Sequence, residues 1–242
     1  CNDLAGNTAG STARTITIDT AGPAVNLLIP ENENFTTVTA PGFIFNATDS
    51  LDNVLNCTLS IDGSVYGTNS STSNNTNTTL TASPALGEGK HSWTVNCTDD
   101  AGNKGSVAPR NITVDITGPV VTLDRPLTDE IINALSSGFT YTVNATVTDS
   151  GVGNISRVIF MYRFNSTDTW KPACIDNDTA APYQCSWNLA LLLSGSDYEI
   201  RAYANDTLGN TGANDTHINI TIITQNISIT SILLDDDISI LT

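Results

Sequence analysis

The sequence predicts an all-β fold, two antiparallel β-sandwiches in tandem, and three observations carry that prediction. The chain repeats itself. Its apolar residues alternate with polar ones at period two, and no convincing helical period runs through it. Its polarity comes from Asn, Thr, Ser and Asp, because charged residues make up only 14% of it. That composition suits strands and turns and poorly suits helices.

The repeat is read first, because it sets the boundaries. Cys1-Asn2-Asp3-Leu4-Ala5-Gly6-Asn7 returns as Cys97-Thr98-Asp99-Asp100-Ala101-Gly102-Asn103, and the register then holds without a gap. Arg14 meets Arg110, Asp19 meets Asp115, Gly22 meets Gly118, Pro23 meets Pro119 and Leu27 meets Leu123. A weaker third copy is Ala204-Asn205-Asp206-Thr207-Leu208-Gly209-Asn210. These coincidences divide the chain into a first domain over 22–117 and a second over 118–224. Residues 1–21 correspond to the last hairpin and strand of a preceding repeat. Residues 225–242 read as the first strand of a following repeat or as a donor strand. The whole is expected to be a window of a longer array.

Alternation then places each strand. In the first domain strands are predicted over 24–29, 42–48, 54–61, 77–82, 90–97 and 108–116. In the second they are predicted over 119–124, 138–147, 155–163, 183–189, 197–204 and 216–223. Asp62-Gly63, Gly87-Glu88-Gly89 and the Ala-Gly-Asn tips supply turns between them. The apolar run Leu189 to Leu193 fits one short helical turn. Six or seven short strands per roughly 100 residues is the pattern of a two-sheet sandwich.

Three features carry a family resemblance: the Asp-x-Ala-Gly-Asn hairpin before a last strand, the Asp-x-x-Gly-Pro junction after it, and a preceding Trp or Tyr strand. That strand is Trp93-Thr94-Val95-Asn96-Cys97 in one repeat and Tyr198-Glu199-Ile200-Arg201-Ala202 in the other. In these features the chain resembles the immunoglobulin-like repeats of archaeal and bacterial cell-surface, S-layer-type proteins. The resemblance implies tandem immunoglobulin-like sandwiches at an extracellular, cell-surface location. In such a sheet the third and sixth strands are antiparallel neighbours, which implies a Cys57–Cys97 disulfide. Cys174 and Cys185 would close a short loop in the second domain, and Cys1 would pair with a residue upstream. His91 aligns with Tyr198 at a position that, in this fold, hydrogen-bonds back to the chain.

Charge excludes one class of partner. The formal net charge is −16 with only 9 Lys plus Arg, so a nucleic-acid backbone would be repelled. No segment approaches the ~18 apolar residues of a membrane span. Sequons, by contrast, are dense. Asn-x-Ser/Thr acceptors stand at Asn34, Asn46, Asn56, Asn69, Asn74, Asn77, Asn96, Asn111, Asn144, Asn154, Asn165, Asn177, Asn205, Asn214, Asn219 and Asn226. In Phe43-Ile44-Phe45-Asn46-Ala47 and Thr142-Val143-Asn144-Ala145 the alternation turns the sequon asparagine away from the apolar face. N-linked glycans are therefore expected, and in an exported chain cysteines read as disulfides.

No catalytic constellation is found. His91 and His217 stand alone in separate repeats and make no recognisable Cys/His pattern, and no Gly-x-Ser-x-Gly elbow or Ser/His/Asp order occurs. The chain is expected not to be an enzyme and to carry no cofactor. The one candidate ion is calcium, with Asp49, Asp52, Asp99, Asp100, Asp115 and Asp149 as its ligands at strand ends. Two functions fit: a structural component of a glycosylated surface assembly (S-layer, stalk or filament), or an adhesin or carbohydrate-binding module on the same scaffold. Aromatic residues are only 6% and mostly fall on inward positions, which favours the first. Its partners would be copies of itself or flanking repeats.

Overall fold

The computed structural model describes residues 4–5, 10, 12–137, 139–212 and 215–224. The chain forms two compact units that divide between Val114 and Asp115. Unit 1 comprises β1 (Ala24–Ile29), β2 (Asn34–Thr36), β3 (Gly42–Thr48), β4 (Val54–Ile61), β5 (Ser64–Ser73), β6 (Thr76–Thr81), β7 (Gly89–Thr98), β8 (Lys104–Gly105) and β9 (Arg110–Val114). Unit 2 comprises β10 (Val120–Arg125), β11 (Ile131–Asn133), the single-turn α1 (Ala134–Ser137), β12 (Thr140–Thr148), β13 (Ile155–Phe164), β14 (Lys171–Asp176), β15 (Tyr183–Asn188), β16 (Gly195–Asp206) and β17 (Asp215–Ile223).

Each unit is an immunoglobulin-like sandwich of two sheets. In unit 1 a sheet of order β1-β3-β6 faces one of order β2-β9-β7-β4-β5, with β8 on β7. In unit 2 the orders are β10-β12-β15 and β11-β17-β16-β13-β14. Alternation fills the space between. Phe43, Phe45, Leu55, Leu59, Trp93, Val95, Ile112 and Val114 point inward in unit 1 and are fully buried or nearly so. Val143, Phe160, Trp187, Ile200, Ile220 and Ile222 do the same in unit 2.

The structure departs from the sequence expectation in instructive places. The pairings are not all antiparallel, because β2 runs parallel to β9 and β11 parallel to β17. Pro30 and Pro126 follow β1 and β10; lacking an amide donor, they end the first ladder and the chain crosses to the other sheet. Strands β5 and β14 had no counterpart in the predicted set. Both are edge strands, and β5 is largely exposed, so neither needs an apolar stripe. The short helix lies at 134–137, whereas 189–192 form a turn. Residues 12–19, within the 1–21 segment expected to hold a last strand, form no ladder among the described residues. Ile16 and Ile18 are 84% and 80% exposed, whereas their repeat counterparts Ile112 and Val114 are wholly buried. The expected strand in 225–242 and the pairing of Cys1 lie outside the described residues.

Two covalent and two steric devices hold the units. Cys57 and Cys97, directly opposed on β4 and β7, are bonded within one sheet. Cys174 on β14 and Cys185 on β15 are bonded between the two sheets of unit 2. Val158 and Ala204 pair in unit 2 as Cys57 and Cys97 do in unit 1. The Gly-Pro junction has a mechanical reason. A Cβ on Gly22 would strike the Lys104 carbonyl, and one on Gly105 would overlap the Pro23 carbonyl. Gly118 against Thr211 and Gly212 against Pro119 repeat the interlock in unit 2. Glycine is needed there because two backbones touch.

Strands β7 and β16 open on the same device in the two units. Tyr198 donates its hydroxyl to the Leu193 carbonyl at 2.9 Å, and His91 places Nε2 3.0 Å from the Gly87 carbonyl. His91 Nδ1 meets Asp62 at 2.7 Å. Burial works against the imidazolium, but the bonds to Asp62 and Gly87 hold the His91 pKa above the ordinary histidine value. That contribution to stability is therefore complete below the unfolded pKa and is lost as pH rises through the folded one. The melting temperature of unit 1 should fall as pH rises above the ordinary histidine value of about 6.5, and His91→Tyr should flatten that slope. Thermal melts across the range check it; an equal slope in the variant would refute the assignment.

Candidate functional site

The surface rather than a cleft carries the candidate chemistry. Of the 16 sequon asparagines, Asn214 and Asn226 lie outside the described residues, and none of the other 14 is buried. Asn34, Asn56, Asn77, Asn96, Asn154, Asn177 and Asn219 are exposed. Asn46, Asn69, Asn74, Asn111, Asn144, Asn165 and Asn205 are half-buried. Asn56 on β4 and Asn96 on β7 stand on the outward face of one sheet, each beside a buried cysteine. Asn74 differs from the rest. Its Nδ2 donates to the carbonyls of Asp49 and Asp52, both at 2.7 Å, and its Oδ1 accepts the Asp49 amide. A glycan there would replace one of those N–H donors.

The six candidate calcium ligands do not form one group. Asp49 and Asp52 come together with Asp19, which the sequence-based set omitted; an oxygen of each lies within 4.8 Å of the others. The equivalence of Asp19 with Asp115 was the available signal. Asp19 Oδ1 accepts the Ala21 amide, while its Oδ2 is buried without a partner. Burial, the Asp100 carboxylate and those of Asp49 and Asp99 push the Asp52 carboxyl above the ordinary aspartate value. Asp99 is engaged by its own hairpin, accepting the Asn103 amide and Nδ2 at 2.7 and 2.9 Å. Asp100 is exposed.

Asp115 and Asp149 belong to unit 2. Asp115 is wholly buried and accepts the amides of Thr117, Val152 and Gly153 at 3.2, 3.1 and 2.8 Å. Glycines make that approach possible: a Cβ on Gly151 would lie 2.6 Å from Asp115 Oδ1, and one on Gly153 2.8 Å from Asp206 Oδ2. Asp149 accepts the Gly151 amide and keeps a buried, unpartnered Oδ2. The two repeats thus solve one problem differently. Both aspartates accept the amide two residues on; unit 2 adds the Val152 and Gly153 amides, whereas unit 1 adds two more carboxylates, a donor set that suits a divalent cation.

His217 approaches the Pro126 carbonyl with Nδ1 at 2.5 Å and lies in a different unit from His91. A cleft of about 340 Å³ in unit 2 is lined by Tyr162, Phe164, Leu191, Leu193 and Tyr198, with Asp168 and Lys171 paired at 2.9 Å. Among the described residues no helix is long and apolar enough to cross a membrane.

Comparison with known proteins agrees with the architecture. Residues 29–116 match the bacterial Ig-like domain family, and residues 119–202 match the bacterial Ig domain family. No curated protein matches the chain. Among solved structures, the fibronectin(III)-like modules of Clostridium thermocellum CbhA share 18% identity with a TM-score of 0.42, over 83% of this chain and 94% of that one. A 1.5-MDa bacterial ice-binding adhesin, described for host cell surface retention, shares 16% with a TM-score of 0.45, over 85% and 67%. Bacteroides ovatus SGBP-B in complex with a mixed-linkage heptasaccharide shares 12% with a TM-score of 0.30, over 84% and 48%.

Proposed function

From the premise that the chain carries two bacterial Ig-like domains in tandem, we propose that it is a non-catalytic structural component of a glycosylated extracellular surface assembly. The observation that carries this reading is the placement of the sequons: 14 described acceptors, none of them buried. Bulky polar glycans suit outward strand positions and are excluded from a packed core. Two disulfides support an oxidising, extracytoplasmic setting. Its partners are flanking repeats, copies of itself and its own N-linked glycans. The sequence of 12–19, equivalent to the end of unit 1, supplies an apolar face for a preceding repeat. The domain limits 22–117 and 118–224 belong to the same proposal. Site mapping of native material tests it: glycan is expected at the exposed asparagines, and Asn74 is expected unmodified because its amide is already spent.

A second element of the proposal is a calcium ion on Asp19, Asp49 and Asp52. The contrast with Asp115, satisfied by amides, supports it. Calcium a hundredfold above its Kd should stabilise unit 1 by about 2.7 kcal/mol. Asp52→Asn should abolish that response and stabilise the calcium-free protein by relieving repulsion. Melts with calcium and with chelator decide it; identical transitions in the two would remove the ion from the account.

A further inference from the structure

The two cysteines of the unit 1 bridge are the middle residues of two sequons. Asn56-Cys57-Thr58 lies on β4 and Asn96-Cys97-Thr98 on β7. The register sets them against each other residue for residue. Asn56 stands opposite Thr98, Cys57 opposite Cys97 and Thr58 opposite Asn96. Each asparagine therefore faces the threonine that completes the other sequon. Strand alternation sends the two chemistries to opposite faces. Both cysteines are wholly buried, whereas both asparagines are exposed. In unit 2 Val158 and Ala204 replace the cysteines, and Arg157 and Tyr203 stand where the asparagines do. Bridge and flanking sequons are lost there together.

The finished sheet has room for a bridge and two glycans, but the order in which they are made matters. A transferase recognises an asparagine together with the hydroxyl two residues on. To enclose the acceptor amide it needs that segment out of the sheet. Strand β4 is paired with β5 on one side and β7 on the other, and β7 carries β8 beside Cys97 and Thr98. Once the sulfurs are joined, the centre of each sequon is tied to the centre of the other. Neither can then leave alone. The reverse order meets no such obstacle, because a glycan on an outward asparagine leaves the inward thiol free to pair.

We propose that glycan transfer to Asn56 and Asn96 precedes closure of the Cys57–Cys97 bond, and that oxidation shuts both sequons. In the transfer, Nδ2 bonds to the anomeric carbon of a lipid-linked sugar phosphate. The bond from that carbon to the phosphate oxygen breaks with its electron pair, and the amide proton passes to a base of the transferase. In the closure, two thiols yield two protons and two electrons to a disulfide oxidant, which departs as a dithiol. This order of events rests on the proposed reading of the chain as N-glycosylated.

The test uses the full chain made without glycan, supplied with an oligosaccharyltransferase and its lipid-linked sugar donor. One sample is folded and oxidised. A second is reduced and alkylated at its cysteines, which keeps unit 1 open because the packed layer around them has no room for the added groups. Asn177-Asp178-Thr179, exposed between β14 and β15, is the internal reference. Peptide mapping should find the reference modified in both samples. Asn56 and Asn96 should be modified in the alkylated chain and about tenfold less, or lower still, in the oxidised one. The Cys57→Ala, Cys97→Ala variant, shown by circular dichroism to fold, should regain transfer at both asparagines, since its strands open without a bond to break. Oxidised protein modified at Asn56 and Asn96 as fully as at Asn177 overturns the proposal, and so does an alkylated chain that takes no sugar there. A folded double variant as closed as the wild type would make the sheet alone the barrier, and also overturns it. Because the transferase is supplied, these outcomes are independent of whether native material carries glycan, which decides the proposed function.

Discussion

Cys57→Ser is expected to destabilise unit 1 by about 4 kcal/mol, from the loop-closure entropy that a cross-link over 40 residues removes from the unfolded chain. For a domain of this size that is a fall in melting temperature of roughly 15–30 °C. Both sulfurs are wholly buried between Leu55, Leu59, Trp93 and Val95, so the serine hydroxyl adds a polar group to an apolar layer. The Cys57→Ala, Cys97→Ala double variant separates the two effects, because it removes the bridge without introducing a hydroxyl. Cys174→Ser should cost less, about 3 kcal/mol, because its loop spans 11 residues. Denaturant melts of reduced and oxidised protein measure both. If Cys57→Ser unfolded at the wild-type midpoint, the bridge would not be what secures β4 to β7.

Asp115→Ala should destabilise unit 2 by about 3 kcal/mol or more, because it strips the acceptor from the amides of Thr117, Val152 and Gly153 in a wholly buried setting. Asp115→Asn keeps one oxygen and should fall between, since hydrogen bonds to a carboxylate are the stronger kind. The equivalent change in unit 1 should behave in the opposite way. Asp19 faces Asp49 and Asp52 and leaves one oxygen unpartnered, so Asp19→Ala should be neutral or stabilising in chelator. Paired melts of the two variants test whether the repeats use this aspartate differently. Equal losses would show that position alone, and not its partners, sets the cost.

Most of the fold was legible because burial imposes a period. Phe43 and Phe45, Leu55 and Leu59, and Val143 and Ala145 alternate with polar residues, and each pair lies in a core. The strands that escaped had no such constraint. Strand β5 reads Ser-Val-Tyr-Gly-Thr-Asn-Ser-Ser-Thr-Ser and sits at a sheet edge, where ladder hydrogen bonds suffice. The parallel pairings of β2 and β11 depend on a chain crossing between sheets that no local pattern encodes. The acidic triad escaped for a similar reason, since Asp19 lies 30 residues before Asp49 and only the fold brings them together. The expectation that aromatics mostly fall on inward positions fits Trp93, Trp187, Phe43 and Phe160, all of them buried. Trp170 and Tyr203 lie on the other side of the sheet, and only the register between β13 and β16 reveals that they share a face with two arginines.

The proposed function requires that these tandem sandwiches present outward strand positions for glycan attachment at a cell surface. Intact mass of native material, before and after removal of N-linked glycans and followed by peptide mapping, tests it most directly. A mass that falls on removal of the glycans is expected, with occupancy at most of Asn46, Asn56, Asn96, Asn111 and Asn144. Native protein whose mass is unchanged by that treatment, with those asparagines unmodified, would rule this out.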